Sequence, residues 1–134
     1  FEQLNQMRKE RGLQPVQRFE LFDQVAREHS AFMASYGHAV HTVPGVTRGV
    51  PWTANNLAHP RARHYESVAA ALTASDALFL INDSPGHLDK LLCEGCTHAS
   101  IGVALEPVLD RFPRLFVTVD LLEFPQGPSQ EIRR

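Results

Sequence analysis

The sequence predicts an α+β domain in which helices pack on a small, mostly antiparallel sheet. Two observations carry this reading. Apolar residues recur at helical spacing in the first third of the chain, and runs rich in Val, Ile, Leu and Phe dominate the last third. Helices early and strands late is the order of an α+β chain, not of alternating βαβ units. Hydrophobic residues make up 43% of the chain and charged residues 21%, a globular composition. The 134 residues fit one domain over 1–125 with a polar tail over 126–134.

The elements follow in chain order. Glu2 to Arg11 places Leu4, Met7 and Arg8 on one side at helical spacing, and Gly12 then Pro15 supply the stop. Phe22, Val25, Ala26, His29, Phe32, Met33 and Tyr36 make the clearest helix, an apolar stripe about 100° wide that Gly37 closes. Most of this helix is expected to be buried. His29 lies on the stripe and reads as a core histidine with a satisfied hydrogen bond. Tyr36 packs at the stripe's end with its hydroxyl toward solvent or a loop carbonyl.

From His38 to Pro60 the periodicity vanishes. Pro44, Gly45, Gly49, Pro51, Asn55 and Asn56 punctuate about 20 residues, longer than most structureless connections and hence a candidate functional loop. Arg63 to Val68 reads as a short strand. Ser75 and Asp76 suit a helix start before Ala77, Leu78, Leu80 and Ile81. Ser84-Pro85 starts a second short helix that runs to about Leu92. Ser100–Leu105 and Leu115–Phe124 are two antiparallel strands joined by the linker Glu106–Arg114.

The bulk properties exclude some functions. A net charge of −2 gives no electrostatic footprint for nucleic acid or an anionic membrane. No apolar run approaches the ~20 residues that span a bilayer. Phe1 already lies in a helical pattern, so the chain reads as a piece of a longer one whose signal peptide is removed or lies outside it.

The pair Cys93-Glu94-Gly95-Cys96 has several possible uses. Thr97 stands where a c-type haem site needs histidine. Zinc bound by Cys93, Cys96 and His98 would lack a second cysteine pair. A thioredoxin-like pair needs a helix N-terminus, whereas this pair follows a helix, where the dipole acts the other way. A local disulfide consistent with an oxidising compartment is favoured, with two reduced thiols the alternative.

Taken in order, the residues resemble a known family. Leu4-Asn5, Arg8, Gly12-Leu13 and Pro15, then Ala26, His29-Ser30 and Met33-Ala34, are similar to the opening of the CAP superfamily. This superfamily comprises cysteine-rich secretory proteins, antigen 5, plant pathogenesis-related proteins and bacterial SCP-like domains. His41 stands at its first cleft histidine and Glu66-Ser67-Val68-Ala69 at its glycine-glutamate-asparagine segment. Ser84-Pro85-Gly86-His87 resembles the second-histidine motif of the bacterial branch. Ile101-Gly102-Val103-Ala104 and Phe116-Val117-Thr118-Val119 resemble its last two strands.

The resemblance implies an α-β-α sandwich, a secreted or extracytoplasmic location, and a cleft of His41, Glu66 and His87. The departures are Tyr65 for the glycine, Ser67 for the asparagine, Phe79 for a helix tryptophan, and Asn82 for a second cleft glutamate. His38 stands near His41 and reads as an exposed loop residue within reach of a third-imidazole role. His59 and His64 read as surface residues, and Ser84 as a helix cap rather than a nucleophile.

Two imidazoles and one carboxylate suit zinc or another divalent metal with a position left for water. Alternatively, Glu66 accepts a hydrogen bond from a histidine and fixes its tautomer, or the three residues form a polar, hydrogen-bonded cleft that only ties the long loop to the sandwich. Three functions follow. The first is a binding or interaction module engaging a lipid, glycan or protein, with no nucleic acid as partner. The second is a metal-assisted hydrolase with Glu66 as base, and the third a redox protein using the cysteines. The absent second glutamate favours binding over catalysis.

Overall fold

The computed structural model describes residues 1–41, 63–83 and 92–124. The loop expected through Pro60 (His59 included), the short helix from Ser84 and the tail from Gln126 lie outside the described residues, wholly or nearly so. Among the described residues, three helices, α1 (Glu2–Glu10), α2 (Glu20–Tyr36) and α3 (Ala74–Asp83), accompany four strands. The strands are β1 (Gln17–Arg18), β2 (Arg63–Ala71), β3 (His98–Leu105) and β4 (Leu115–Glu123). They form one sheet in the order β1-β3-β4-β2. β4 is antiparallel to both neighbours, and β1 runs parallel to β3.

The period-two alternation of the strands separates the layers. Odd-numbered residues, among them Ala69, Ala99, Val117, Val119 and Leu121, pack against Leu4 and Met7 of α1 and Ala77 and Ile81 of α3. Even-numbered Val68 and Phe116 meet Met33 and Ala34 of α2, and Leu122 joins Phe19, Phe22 and Phe124. Helices therefore cover both faces, and the α-β-α sandwich stands. β4, in the middle of this arrangement, is buried at every position from Phe116 to Leu122. That explains why its sequence is largely apolar on both faces, Thr118 and Asp120 excepted, rather than alternating apolar and polar. Among the described residues, no helix is long and apolar enough to cross a membrane.

Local chemistry accounts for the boundaries. α1 buries Leu4, Met7 and Arg8, one turn apart, and the chain turns at Gly12 with a left-handed φ of 74°. Asn5 then holds the connection to β1. Its amide donates to the Val16 carbonyl (3.0 Å), and its carbonyl accepts the Val16 N–H (2.8 Å). β1 itself is two exposed residues and has no apolar pattern to reveal it.

α2 ends at Gly37 with φ 88°, but its buried face differs from the predicted stripe. Phe32 and Tyr36 are exposed, while Ser30 and Ala34 are buried. The sheet dictates this rotation. α2 crosses β3 at Gly102 so closely that only small residues fit. There the Ser30 hydroxyl donates to the Gly102 carbonyl (2.8 Å) and lies 2.8 Å from the Thr118 hydroxyl.

β2 extends three residues past the predicted Val68. Ala69–Ala71 have little strand preference of their own but pair with Val117, Phe116 and Leu115 of β4, so tertiary pairing overrides propensity. At α3 the cap is Thr73, whose hydroxyl accepts the Asp76 N–H at 3.0 Å; Ser75 instead exchanges hydrogen bonds with Gln3 of α1. Cys93 and Cys96 stand at disulfide-bonding distance, Cα atoms 5.4 Å apart, just before β3. Cys96 is buried against the α1/α3 core.

Candidate functional site

Three elements meet where α2 ends. His29 sits on the sheet-facing side of α2, Glu66 projects from β2 toward the same helix, and His41 lies just beyond the Gly37 turn. The Glu66 side chain is 9% exposed and its Oε1 lies 2.9 Å from His41 Nδ1. An ionised carboxylate only accepts, so the His41 Nδ1–H is the donor. In that tautomer Nε2 carries the ring lone pair, the nitrogen used to ligate a metal.

His29 is buried, and its Nε2–H donates to the Val40 carbonyl at 2.8 Å. The same nitrogen lies 3.5 Å from Glu66 Oε1, so one carboxylate oxygen faces both imidazoles. His29 thus has the satisfied hydrogen bond expected of a core histidine. Its acceptor is the residue before His41, a link that sequence spacing does not reveal. His38 is exposed and packs edge-on to Tyr36 with ring centroids 5.4 Å apart.

The sheet adds a second carboxylate. Asp120 of β4 is the register partner of Glu66 and is buried, with Ser100 on its other side. Alternation places Glu66, Asp120, Thr118 and Ser100 on the face that α2 covers. The sequence signal for Asp120 is a lone acid inside an apolar strand. Of the other residues assigned to the cleft, His87 lies outside the described residues, as does the side chain of Asn82. Among the described residues, no three His, Cys, Asp or Glu side chains are grouped to hold a metal ion. The donor chemistry present, an imidazole oriented by a carboxylate, does suit zinc once a second histidine joins it.

A charged brace lies behind the site. Glu106, read from sequence as part of a linker, is buried and takes paired hydrogen bonds from Arg111 and Arg114. Arg114 Nη2 also donates to the Gly37 carbonyl at 2.9 Å. A cation thereby reaches the C-terminus of α2, whose last turn has no basic residue of its own. The β3–β4 connection is in this way tied to the turn that leads to His41.

Hydrogen bonds from Arg111, and then from Arg114, hold the Glu106 carboxyl far below the usual carboxylate range. A carboxyl lowered in the folded state contributes stability that is complete above its unfolded value of about 4.3 and is lost as pH falls below it. Thermal melts are therefore expected to show wild type losing more Tm than Glu106→Gln between about pH 5 and pH 2. Equal slopes for the two proteins would mean that the brace adds no stability.

No family model matches the sequence, and no curated protein matches it at a significant level. Solved structures do match. An outer surface protein from Borrelia burgdorferi superposes with a TM-score of 0.69 at 18% identity, over 90% of this chain and 86% of that one. An extracellular protein containing an SCP domain from Bacillus anthracis also gives a TM-score of 0.69, at 21% identity over 90% of this chain. The match spans 38% of the Bacillus protein's length. At these identities the likeness is one of fold, and it agrees with the CAP/SCP-like architecture that the sequence resemblance implies.

Proposed function

We propose that this chain is an extracytoplasmic binding module of the bacterial SCP-like branch of the CAP superfamily, and that its cleft takes a divalent metal, zinc foremost. His41 and His87 are the ligands in this reading, and Glu66 orients His41 from behind. The observation that carries it is the 2.9 Å contact between Glu66 Oε1 and His41 Nδ1, the carboxylate–histidine pair that typically backs a metal-ligating imidazole. The extracytoplasmic location draws support from the cysteine pair at bonding distance and from structural neighbours described as extracellular or outer-surface proteins.

The same contact weighs against the hydrolase reading. A general base must be within reach of the water it deprotonates, whereas Glu66 is nearly buried and directed at two imidazoles. Glu66 acts here as a positioning residue. Bound zinc would polarise whatever anionic or carbonyl oxygen a ligand offers.

Calorimetric titration with zinc tests the proposal. Wild type is expected to bind one zinc with micromolar or tighter affinity, and a His41→Ala/His87→Ala double variant to bind at least about 100-fold more weakly, as loss of two ligands implies. No heat from wild type at micromolar zinc, or equal binding by both proteins, would overturn it.

A further inference from the structure

His29 is tied into the cleft more closely than packing requires. An apolar side chain of similar size would fill its place on α2 without the cost of burying an imidazole. A buried imidazole needs an acceptor for its N–H. Here the acceptor is the Val40 carbonyl, 2.8 Å away and 11 positions along the chain. That carbonyl belongs to the peptide whose nitrogen is the backbone nitrogen of His41. The peptide is planar and rigid, so holding its oxygen fixes the direction in which the His41 backbone leaves Val40.

The ring of His41 is referred to the same imidazole. Its Nδ1–H donates to Glu66 Oε1 at 2.9 Å, and that oxygen lies 3.5 Å from His29 Nε2. His29, the Val40–His41 peptide, the His41 ring and Glu66 thus close a loop of contacts that joins α2 to β2. A neutral imidazole has one N–H, and at 2.8 Å against 3.5 Å that of His29 goes to Val40. The segment between them is anchored as well. Arg114 holds the Gly37 carbonyl, and the Val40 side chain packs against the cluster of Met33, Ala34, Val68 and Phe116.

We propose that His29 is a positioning residue of the cleft. Through the Val40 carbonyl it sets where the His41 ring stands against Glu66. It does not ligate the metal itself, because its Nε2 carries the proton given to Val40. The consequence for zinc rests on the reading of His41 as a ligand; the consequence for the pose of His41 does not.

Imidazole nitrogen NMR and zinc calorimetry on three variants test the proposal. The amide nitrogen of His29→Gln comes near the position of histidine Nε2. That of His29→Asn reaches only as far as Nδ1, and His29→Leu carries no donor. In the metal-free protein, His29→Asn and His29→Leu are expected to turn a single Nδ1–H tautomer of His41 into a mixture of both, while His29→Gln keeps the wild-type signal. Zinc affinity should fall about 10-fold in His29→Asn and His29→Leu but less than about 3-fold in His29→Gln. Ile81→Val, which loosens the opposite layer of the sandwich, controls for lost stability and is expected to leave both readouts at wild-type values. His41 signals that do not change in His29→Asn and His29→Leu would overturn the proposal. So would equal losses in His29→Asn and His29→Gln, or changes that Ile81→Val reproduces. A wild type that binds no zinc, but whose His41 signals respond to His29→Asn and not to His29→Gln, would sink the zinc reading and support the positioning role.

Discussion

Gly102→Ala is expected to destabilise the protein by about 3 kcal/mol or more, at the upper end of what overpacking costs. A Cβ built on Gly102 falls well inside contact distance of the Ala26 carbonyl group and the Arg27 amide nitrogen, both backbone atoms of α2. Neither can rotate away, so the helix must lift from the sheet. Lifting it strains the Ser30 bonds to Gly102 and Thr118 and loosens Met33 and Ala34 from Phe116. Thermal unfolding should show a Tm lower by roughly 10 °C or more for a chain of this size. Gly95→Ala is the control. Its added Cβ meets only the end of the Glu123 side chain, which can swing aside, and the expected cost is below about 1 kcal/mol. Equal costs for the two substitutions would show that the α2–β3 approach is not the constraint described.

Glu66→Ala is expected to lower zinc affinity about 10- to 100-fold while leaving both histidines in place, the usual penalty for removing a carboxylate behind a metal-bound imidazole. The carboxylate fixes the His41 tautomer and draws His29 and His41 toward one oxygen. Without it half-exposed His41 loses the carboxylate acceptor that sits 2.9 Å from Nδ1. Glu66→Gln separates charge from geometry. Its amide oxygen still accepts from His41 but carries no charge, so it is expected to recover part of the lost affinity. Zinc binding unchanged in Glu66→Ala would mean that the carboxylate plays no part in the cleft.

Much of this architecture is legible in the sequence because it rests on local periodicity. Leu4 and Met7, the stripe from Phe22 to Met33, and the two apolar runs flanking Glu106–Arg114 each declare an element without reference to the rest of the chain. What escapes depends on contacts between distant segments. β1 exists only because Gln17 and Arg18 lie beside His98 and Ala99. The alanines at the end of β2 become strand only against β4. The face of α2 is chosen by a glycine on another strand, which is why Ser30 is buried and Phe32 is not.

The site divides in the same way. His41 and Glu66 are named by the family resemblance, and the fold sets them 2.9 Å apart across 25 positions of chain. The hydrogen bond from His29 to Val40, the burial of Asp120 beside Glu66, and the reach of Arg114 to Gly37 follow from packing that no spacing rule encodes. Glu106 sits in a segment that reads only as a linker, and it becomes a brace only when Arg111 and Arg114 fold back on it.

The central claim is that Glu66 holds His41 with its proton on Nδ1 so that Nε2 meets a metal. Imidazole nitrogen NMR of the wild-type protein, recorded before and during zinc addition, tests it most directly. The expected result is an Nδ1–H tautomer for His41 in the metal-free protein and a shift of its Nε2 resonance that saturates at one zinc per chain. An Nε2–H tautomer, or a His41 Nε2 resonance that zinc leaves unmoved, would contradict it.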